Sequence, residues 1–571
     1  MIDQYVPMTQ NILSAIPMVE SIVDGKLLAV TGAAAFLLYK ILSKYQWDIL
    51  RNKSPIDGVG KASNTHWLLG DFLLFLGPFV ESQKRLCEDE IDKKGRLAIW
   101  ALCFGQKALV VTNWNDARAV LSASSFRNPM GPIRRHAGML LGKRNIGLLH
   151  GNEWKFHRAA ITRSFNPVTL GKRNVHESIV TVMDQLFASL QSRGKTFQME
   201  LVPLMKMVTI DVFGMSAFRK DFGSCRTLTP SRVSVAFDYM SDEFNRRMFE
   251  SNFLTTLTSV YWLPTASNLR YRRERNYIRG LVTNIIQEHK DRQQSTNDNN
   301  DNNVQHDEDL LSRMIQTHRE LQEQGSTGVD DVSNDTITDI LMSVLFAGYD
   351  TSSVTLAYAL YHIAKHPDVE KNVLEEIAAN GIHDVDSLPY CKAVIMETLR
   401  LFPPGMLTTR NMTKDFQFRD GLVVPTDTVA VVPIWSIQRR ASNFPRPLEF
   451  RPDRWAHRIN NNNHDDDGTK KASKGNERQG LSELWKERDD EPGTIPPGNR
   501  KAFLAFSGGG RTCAGYKFAM QEVITIFAML VQKLRFSVAD DFVLRPVRSG
   551  VVQSPNDGLP MTMEWRDGNK M

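Results

Sequence analysis

A single cysteine near the end of the sequence lies in a glycine-rich turn that could hold a thiolate. The segment from Phe506 to Gly515 reads FSGGGRTCAG, and a helical pattern follows from Tyr516 to Leu534. Glycines allow tight turns, and backbone N–H groups beside a helix start stabilise a thiolate and lower its pKa. A thiolate at Cys513 could attack an electrophile or bind a metal. The nearest charge is Arg511, a cation rather than a base, which favours a ligand role over a nucleophilic one.

A second candidate set lies in the sequence GNEWKFHR, which runs from Gly151 to Arg158. If this segment is helical, Trp154 and Arg158 are four residues apart and share one helix face. An indole N–H and a guanidinium that point the same way suit a carboxylate. Ordinary amphipathic packing is the better explanation for such a pair when it stands alone.

A long helical pattern from Asp335 to Ile363 contains the sequence AGYDTS in its middle. Glycine and the β-branched Thr351 weaken a helix interior, so either Gly348 serves close helix packing or another demand acts there. A threonine hydroxyl that bonds back to a carbonyl bends a helix locally. The adjacent Asp350 and Thr351 could then pass protons to a bound ligand.

A glutamate and two arginines form a fourth set. The helical pattern from Leu388 to Leu401 carries Glu397 and Arg400, and two prolines follow it and end the helix. Such a pair alone can be a surface salt bridge worth roughly a few tenths of a kcal/mol. Further along, the sequence FRPDRW contains Arg454.

The composition limits the class of protein. The chain has 571 residues, 42% hydrophobic and 23% charged, which is ordinary for a globular protein with one large catalytic unit or several small domains. A net charge of +6 is too modest to indicate nucleic-acid binding. The cysteines are scattered and form no C-x-x-C pair, which excludes a disulfide framework and a zinc site and fits a reducing environment. They are Cys87, Cys103, Cys225, Cys391 and Cys513.

A mostly apolar run from Leu27 to Leu42, with Lys40 as its one charged residue, is the candidate membrane anchor. It is shorter than the roughly 20 residues of a usual spanning helix, and a cleaved signal peptide and a buried helix are the alternatives. The run begins far from Met1 and lacks a convincing small-residue exit site, which disfavours cleavage. Basic residues after the run predict a single-pass anchor with the remaining chain in the cytoplasm.

The remaining sequence alternates between patterned segments and polar stretches. We expect residues 1–53 to form an N-terminal segment that contains the anchor and residues 54–571 to form one catalytic domain. Enrichment in Asn, Asp and Gln near 293–309, and the polar stretch 456–498, predict mobile hydrophilic insertions. The segment from Leu97 to Leu109 has strand-like composition.

These motifs together resemble those of the cytochrome P450 family. The spacing F-x-x-G-x-R-x-C-x-G matches the family's haem-binding loop and is carried here by Phe506, Gly509, Arg511, Cys513 and Gly515. The sequence AGYDT matches the family's oxygen-activation motif. Five motifs occur in family order, and the resemblance covers nearly everything after Ser54. One departure is Gln438, where the family commonly has a histidine.

The resemblance implies the cytochrome P450 fold, mainly helical with a smaller β region, preceded by the N-terminal membrane anchor. It implies haem b with the thiolate of Cys513 as axial iron ligand, and proton delivery by Asp350 and Thr351. The residues implied to bind the cofactor are Trp154, Arg158, Arg410, Phe506, Arg511, Cys513 and Gly515. The triad implied to lock the core around the haem consists of Glu397, Arg400 and Arg454.

The reaction implied by the resemblance is monooxygenation, in which one atom of O₂ enters an organic substrate and the other leaves as water. Electrons would come from an NADPH–cytochrome P450 reductase, with cytochrome b5 as a further partner, because the sequence has no nicotinamide motif of its own. The segments that match substrate contacts suggest a lipophilic molecule such as a terpenoid, sterol or fatty acid. The motif style resembles a eukaryotic microsomal member, with a fungus as candidate source, acting in secondary metabolism at the endoplasmic reticulum membrane.

Three other functions stay open. Some P450-like proteins isomerise or dehydrate peroxides without a reductase, and a haem sensor or electron carrier needs no turnover. The intact Asp350 and Thr351 argue against both. A cysteine hydrolase would need a histidine near Cys513, and His150 and His157 could reach that position only through the fold.

Overall fold

The computed structural model describes most of the chain from residue 54 onward. The expected anchor at 27–42 lies outside the described residues. The described ranges are 54–62, 87–88, 91, 94–101, 106–123, 137–165, 172–247, 264–298, 309–323, 333–458, 485–487, 500–548, 552–555 and 557–566.

Helices make up most of the described structure, as the sequence predicts. In chain order they are α1 (Trp114–Ala123), α2 (Gly151–Ser164), α3 (Lys172–Gln191), α4 (Leu201–Phe218), α5 (Ser224–Thr227), α6 (Arg232–Asn245), α7 (Ala266–Asp298), α8 (Leu310–Glu323), α9 (Asn334–Lys365), α10 (Pro367–Asn380), α11 (Pro389–Leu401), α12 (Ile434–Gln438) and α13 (Tyr516–Lys533). Short 3₁₀ turns precede several of the loops.

The strands form small, mostly antiparallel sheets. They are β1 (Arg96–Ala101), β2 (Gln106–Val111), β3 (Thr196–Glu200), β4 (Thr408–Asn411), β5 (Phe416–Gln417), β6 (Val423–Val424), β7 (Val429–Val432), β8 (Ala456–Arg458), β9 (Trp485–Glu487), β10 (Leu534–Ser537), β11 (Pro546–Arg548), β12 (Ser554–Pro555) and β13 (Pro560–Trp565). One sheet has the order β1-β2-β7-β4, with β2 and β7 parallel, and another has the order β10-β13-β3. The expected strand from Leu97 to Leu109 is two paired strands, in which Leu97 lies opposite Val110.

Helix α9 is the central element and packs along α4 and against α7, α11 and α13. Ser333 caps its N-terminus, since the Ser333 side chain accepts a hydrogen bond from the Thr336 N–H at 3.3 Å. A Cβ at Gly348 would lie 2.6 Å from the Phe213 ring on α4. Gly348 therefore serves the close packing of two helices, which was one of the two explanations left open by the sequence.

Two of these helices, α4 and α9, are long and apolar enough to cross a membrane by length and composition. A helix that is apolar on all faces either spans a membrane or lies in a protein core. In each helix, 78% of the apolar window is buried inside the protein. Both therefore have the burial pattern of core helices.

Both hydrophilic insertions begin with regular structure, which the loop predictions missed. Helix α7 continues through the first residues of the 293–309 stretch and ends at Asp298. Gln293 and Gln294 are good helix formers, and the weaker formers from Ser295 onward bring the helix to its end. In the 456–498 stretch, β8 pairs antiparallel with β9, so ladder hydrogen bonds join the two strands. Residues 299–308, 459–484 and 488–499 lie outside the described part of the chain.

A buried carboxylate joins α11 to the segment that follows residue 450. Glu397 accepts hydrogen bonds from Arg400 Nε (2.9 Å) and Nη2 (2.8 Å), from Arg454 Nε (3.0 Å) and from the Trp455 indole (2.9 Å). The Arg451 N–H donates to the same carboxylate at 3.0 Å. Glu397 and Arg400 have no exposed surface, so their pair is a core interaction rather than a surface salt bridge.

A pair of buried histidines holds α2 against α8. His157 Nδ1 lies 2.9 Å from His318 Nε2, and His318 Nδ1 lies 2.6 Å from the Met314 carbonyl oxygen. Burial lowers the pKa of His157 to about 3, and it also lowers the pKa of His318. Both rings are therefore neutral at pH 7, and their contact helps to fix the helix that carries Trp154 and Arg158.

We expect Glu397→Gln to destabilise the fold by about 3–5 kcal/mol, because it leaves two buried arginines without a counter-charge. A matched control is the exposed ion pair between Arg446 and Glu449. These residues are also three apart in sequence, and Arg446 Nη1 lies 3.5 Å from Glu449 Oε2. Glu449→Gln should change the stability by less than about 1 kcal/mol. Thermal unfolding followed by circular dichroism measures both variants. A wild-type midpoint for Glu397→Gln would refute the role of the buried carboxylate.

The buried histidine pair predicts that stability falls as the pH is lowered. The folded-state pKa of His157, about 3, lies below the ordinary value of 6.5, so between these pH values the unfolded chain binds more protons. His157→Gln should reduce the loss of stability by up to about 1.4 kcal/mol per pH unit in that window. His150→Gln, at the exposed start of the same helix, is the control. Unfolding midpoints between about pH 7 and pH 5 test this, and parallel curves for His157→Gln and wild type would contradict it.

Candidate active site

The cysteine loop is closed by backbone contacts. The Cys513 N–H donates to the Phe506 carbonyl at 2.9 Å and forms the base of the loop. Gly509 has a φ of +65°, and a Cβ at this position would lie 2.0 Å from the Leu121 carbonyl oxygen of α1. A glycine is required at this position both for the left-handed backbone and for the close approach to α1. Helix α1 therefore packs directly against the cysteine loop at Gly509.

Phe506 and Gly515 lie where the cysteine loop joins α13. The Phe506 ring packs edge-to-face on Tyr516, with ring centroids 4.6 Å apart. Gly515 is the N-cap of α13; its carbonyl accepts from the Ala519 N–H at 2.8 Å, and its own N–H is directed to the Cys513 sulfur. The helix start therefore faces the sulfur, as the sequence predicts.

The thiol of Cys513 does not have the lowered pKa that the sequence predicts. Burial raises its pKa, and the Gly515 N–H and the Arg158 guanidinium oppose this rise without cancelling it. The side chain is still accessible to solvent, because it lines a cavity. Desolvation by the surrounding chain outweighs the N–H donors, which is why the prediction was wrong. A metal cation would hold the thiolate, since a coordinating thiol loses its proton outright.

A cavity of about 310 Å³ brings Cys513 and Thr351 together. The cysteine loop and α13 line part of it, and α9 contributes Thr351, Ser352 and Thr355. The other lining side chains are mainly apolar and include Ile395, Leu399, Leu407, Ile434, Met520 and Val523. An apolar cavity with a few placed polar groups is the usual form of a site for a cofactor or a small molecule.

Helix α2 places Trp154 and Arg158 against the cysteine loop. Arg158 Nη2 donates to the Thr512 carbonyl, next to the cysteine. The Arg511 guanidinium lies 3.9 Å from the centroid of the Trp154 ring. Burial lowers the pKa of Arg158, and the neighbouring Cys513 opposes that shift. Trp154 and Arg158 therefore share one face of α2, as predicted. Arg158 contacts the cysteine loop at Thr512, and Trp154 contacts it at Arg511.

Arg410 reaches the same loop from β4. It is fully buried, and its Nη2 donates to the Gly508 carbonyl at 3.1 Å and to Ser507 Oγ at 3.4 Å. A buried guanidinium needs acceptors, and here the loop supplies them. Together with Arg158 and Arg511, it makes the surroundings of the loop strongly cationic.

Asp350 and Thr351 have different surroundings. Thr351 lines the cavity, and its hydroxyl donates to the Ala347 carbonyl at 2.7 Å, which is the back-bond expected from the sequence. Asp350 is buried and pairs with Lys206 at 3.3 Å, and Lys206 also pairs with the partly exposed Asp238 at 2.6 Å. Burial raises the pKa of Asp350, while Lys206 lowers it. The structure thus brings Thr351, but not Asp350, to the cavity wall.

Sequence reasoning missed Glu522, a fully buried carboxyl on α13. Ser352, which lines the cavity beside Thr351, donates to Glu522 Oε2 at 2.7 Å. Burial raises the pKa of Glu522 to about 8, so this group carries a proton at pH 7. A lone acidic residue inside an otherwise apolar helix was the sequence signal that could have identified it.

Gln438, the departure from the family pattern, is also a structural link. Its Nε2 donates to the carbonyls of Leu399 (3.1 Å) and Arg400 (3.0 Å), and its Oε1 accepts from the Leu504 N–H (2.7 Å). It connects the end of α11, and therefore the Glu397 pair, to the segment that enters the cysteine loop. An amide can donate and accept at once, which is what this buried position requires.

The residues at this cavity fit a haem. A cysteine thiolate is a known axial ligand of haem iron, and the apolar lining suits the macrocycle. Trp154, Arg158 and Arg410 surround the loop and could hold carboxylates through charge-assisted hydrogen bonds. In the described part of the chain, no group of three or more His, Cys, Asp or Glu side chains could hold a metal ion.

Comparison with known proteins extends this fit to most of the chain. The family model described as Cytochrome P450 matches residues 64–559. Cytochrome P450 97B1, chloroplastic, from Pisum sativum is 25% identical over 74% of this chain and 76% of its own length. Cytochrome P450 3A2 from Rattus norvegicus is 24% identical over 81% and 84%. Cytochrome P450 monooxygenase FUM15 from Gibberella moniliformis is 24% identical over 89% and 87%.

The matched range contains all the residues that the sequence singled out, from Trp154 to Gly515. Members of the matched family bind haem through a cysteine thiolate, and the similar proteins include a named monooxygenase. The chain, whose cavity places a cysteine and a threonine around an apolar space, therefore belongs to the cytochrome P450 family of haem enzymes.

Proposed function

We propose that this enzyme is a haem-thiolate monooxygenase in which Cys513 is the axial ligand and one atom of O₂ enters a lipophilic substrate. The observation that carries the proposal is that Cys513 and Thr351 line the same cavity. Haem, when bound, supplies the activation of O₂, and an axial thiolate favours O–O cleavage. Peroxide isomerases and electron carriers do not need a hydroxyl at the cavity wall, so Thr351 supports the monooxygenase.

The side chains around the loop bind and orient the cofactor. Trp154, Arg158 and Arg410 hold its carboxylates, because all three lie at the cysteine loop and carry N–H donors. Phe506 and Gly515 shape the surroundings of the sulfur, and Arg511 fixes the contact between the loop and α2. The triad of Glu397, Arg400 and Arg454 acts at a distance by holding the segments that frame the loop.

Protons reach the cavity through the residues of α9. Thr351 presents a hydroxyl at the cavity wall. Asp350 leaves Lys206, takes up a proton from solvent and passes it to the Thr351 oxygen, while the Thr351 hydroxyl releases its own proton into the cavity. Lys206 in turn contacts Asp238, which is partly exposed, so the ion-paired chain connects Asp350 with solvent. The buried Ser352–Glu522 pair provides a second protonated group close to Thr351.

The substrate and the partners follow from the apolar lining and from the family. The lining suits a lipophilic molecule such as a terpenoid, a sterol or a fatty acid. Electrons come from NADPH through a cytochrome P450 reductase, with cytochrome b5 as a further donor. The segment at 27–42 anchors the protein in the endoplasmic reticulum membrane, with the catalytic domain in the cytoplasm. The style of the motifs favours a fungal source and a role in secondary metabolism, and one of the similar proteins is a monooxygenase from Gibberella moniliformis.

The absorption spectrum of the reduced, carbon monoxide-bound protein tests the ligand. We expect the Soret band at the long-wavelength position that is typical of thiolate ligation, and we expect Cys513→Ala to lose it. Cys225→Ala, at a buried cysteine that does not line the cavity, should keep the band. An ordinary haem band, or the same band in Cys513→Ala, would exclude Cys513 as the ligand.

Thr351→Ala should retain haem but uncouple O₂ consumption from product formation, because the cavity loses its proton-donating hydroxyl. Removal of one positioned proton donor typically costs about 10²–10⁴-fold in the catalysed step. Thr355→Ala is the matched control, since Thr355 lines the same cavity one helical turn away and bonds back to the Thr351 carbonyl at 2.8 Å.

The measurement is the ratio of hydrogen peroxide released to NADPH consumed, with a substrate that the wild type converts. The ratio should rise in Thr351→Ala and stay near the wild-type value in Thr355→Ala. Full coupling in Thr351→Ala would refute the role of its hydroxyl in proton delivery.

A further inference from the structure

A single segment, residues 142–149, contacts both α9 and the cysteine loop. It lies between a helical turn at 137–141 and α2. At its beginning it meets Asp339, three helical turns before Thr351 on α9. At its end its carbonyls meet Arg511 of the cysteine loop.

Asp339 makes the first of these contacts. It is nine-tenths buried, and its Oδ2 accepts from the Arg144 N–H at 3.0 Å. Its Oδ1 pairs with Arg279 of α7 at 2.5 Å. Gly142 has a φ of +91°, and a Cβ there would lie 2.1 Å from the Asp339 carboxyl carbon. The turn at residue 142 is therefore built against this carboxylate.

The side chain of Asn145 joins the beginning of the segment to its end by hydrogen bonds. Its Nδ2 donates to the Gly142 carbonyl at 2.5 Å, and its Oδ1 accepts from the Gly147 N–H at 3.0 Å. Its backbone carbonyl accepts from the N–H groups of Leu148 (2.9 Å) and Leu149 (3.2 Å). Because Asn145 is buried and its side chain is bonded at both ends, the segment has little freedom to adjust when one end moves.

Arg511 makes the second contact. Its Nη1 and Nη2 donate to the carbonyls of Ile146 (3.2 Å) and Leu149 (2.6 Å), and its guanidinium lies over Trp154. Arg511 also lines the cavity with Cys513. The direction of this guanidinium is therefore set by two carbonyls whose positions depend on the turn at residue 142.

We propose that Asp339 is a positioning residue for the cofactor site: by holding residues 142–149, it fixes Arg511 and, through it, the contact of the cysteine loop with Trp154. This inference rests on the proposed haem site. Asp339 does not touch that site, and its effect passes through the backbone of the segment. The pairing with Arg279 links α7 to the same carboxylate, so a shift of α7 also reaches the loop.

The test compares Asp339→Ala with Asp335→Ala in the purified holoprotein. Asp335, one turn earlier, also pairs with Arg279 (2.8 Å), but its side chain is 86% exposed and this ion pair is directed to α7 rather than to the segment. Transfer of haem to excess apomyoglobin should be about 10- to 100-fold faster in Asp339→Ala, as for other residues that orient a ligand indirectly. Asp335→Ala should stay within about twofold of wild type.

Two further variants separate positioning from simple loss of an ion pair. Asp339→Asn keeps an acceptor for the Arg144 N–H and should retain haem better than Asp339→Ala, whereas a role confined to the Arg279 pair predicts equal haem loss. Gly142→Ala keeps the Asp339 side chain, but the added methyl group forces the turn and the carboxylate apart, so this variant should lose haem like Asp339→Ala. If Asp339→Ala does not fold, haem transfer from Gly142→Ala tests whether the contact between the turn and the Asp339 carboxylate positions the cofactor site.

Hydrogen exchange gives a readout that does not require haem. The amides of Leu148 and Leu149 should exchange faster in Asp339→Ala, while those in the middle of α9 stay protected. A wild-type haem transfer rate in Asp339→Ala, or unchanged exchange at residues 148–149, would overturn the proposal. If the wild type itself lacks thiolate-bound haem, the proposed function fails, and the exchange measurement still decides whether Asp339 controls the segment.

Discussion

The buried carboxylate of Glu397 is the interaction on which the architecture of the site depends. A charge without contact to water must be matched by cations and hydrogen-bond donors, and here Arg400, Arg454 and the Trp455 indole supply them. Arg400 uses its remaining N–H groups on three backbone carbonyls, which brings chain segments that are distant in sequence to the end of α11. Gln438 extends this network to Leu504, where the chain enters the cysteine loop. The network around one buried charge thus helps to set where the chain enters the loop.

Helix α9 shows how a core helix can also form a site. Because it is buried along most of its length, each of its faces meets a different partner. Gly348 allows the Phe213 ring to approach, Asp350 meets Lys206, and Thr351 lines the cavity. Adjacent residues on a helix point about 100° apart, so an acid and an alcohol that are neighbours in sequence need not share surroundings. Proton transfer between them therefore requires a side-chain movement.

Desolvation is the dominant electrostatic effect around the cavity. It raises the pKa of Cys513 and of Glu522, and it outweighs the N–H and guanidinium groups that face the sulfur. A site of this kind favours neutral groups until a cation enters. The charge of a bound iron, rather than the glycine-rich backbone, would then hold the thiolate form of Cys513. Arg158 and Arg410 donate hydrogen bonds to carbonyls of the loop, and their positive charge makes the surroundings of the loop suited to an anionic cofactor.

The sequence alone indicated the family, the haem-binding motif and several of the helices, because these depend on local spacing: a cysteine at a fixed place in a glycine-rich turn, a tryptophan and an arginine on one helix face, and prolines that end α11. It could not show that Cys513 has a raised pKa, that Asp350 faces Lys206, or that Glu522 and Asp339 take part. Burial and partners arise from segments far apart in the chain. Only the tertiary structure decides which groups surround each residue and how much water it loses. These two factors set the pKa, and therefore the charge, of the titratable residues at this site.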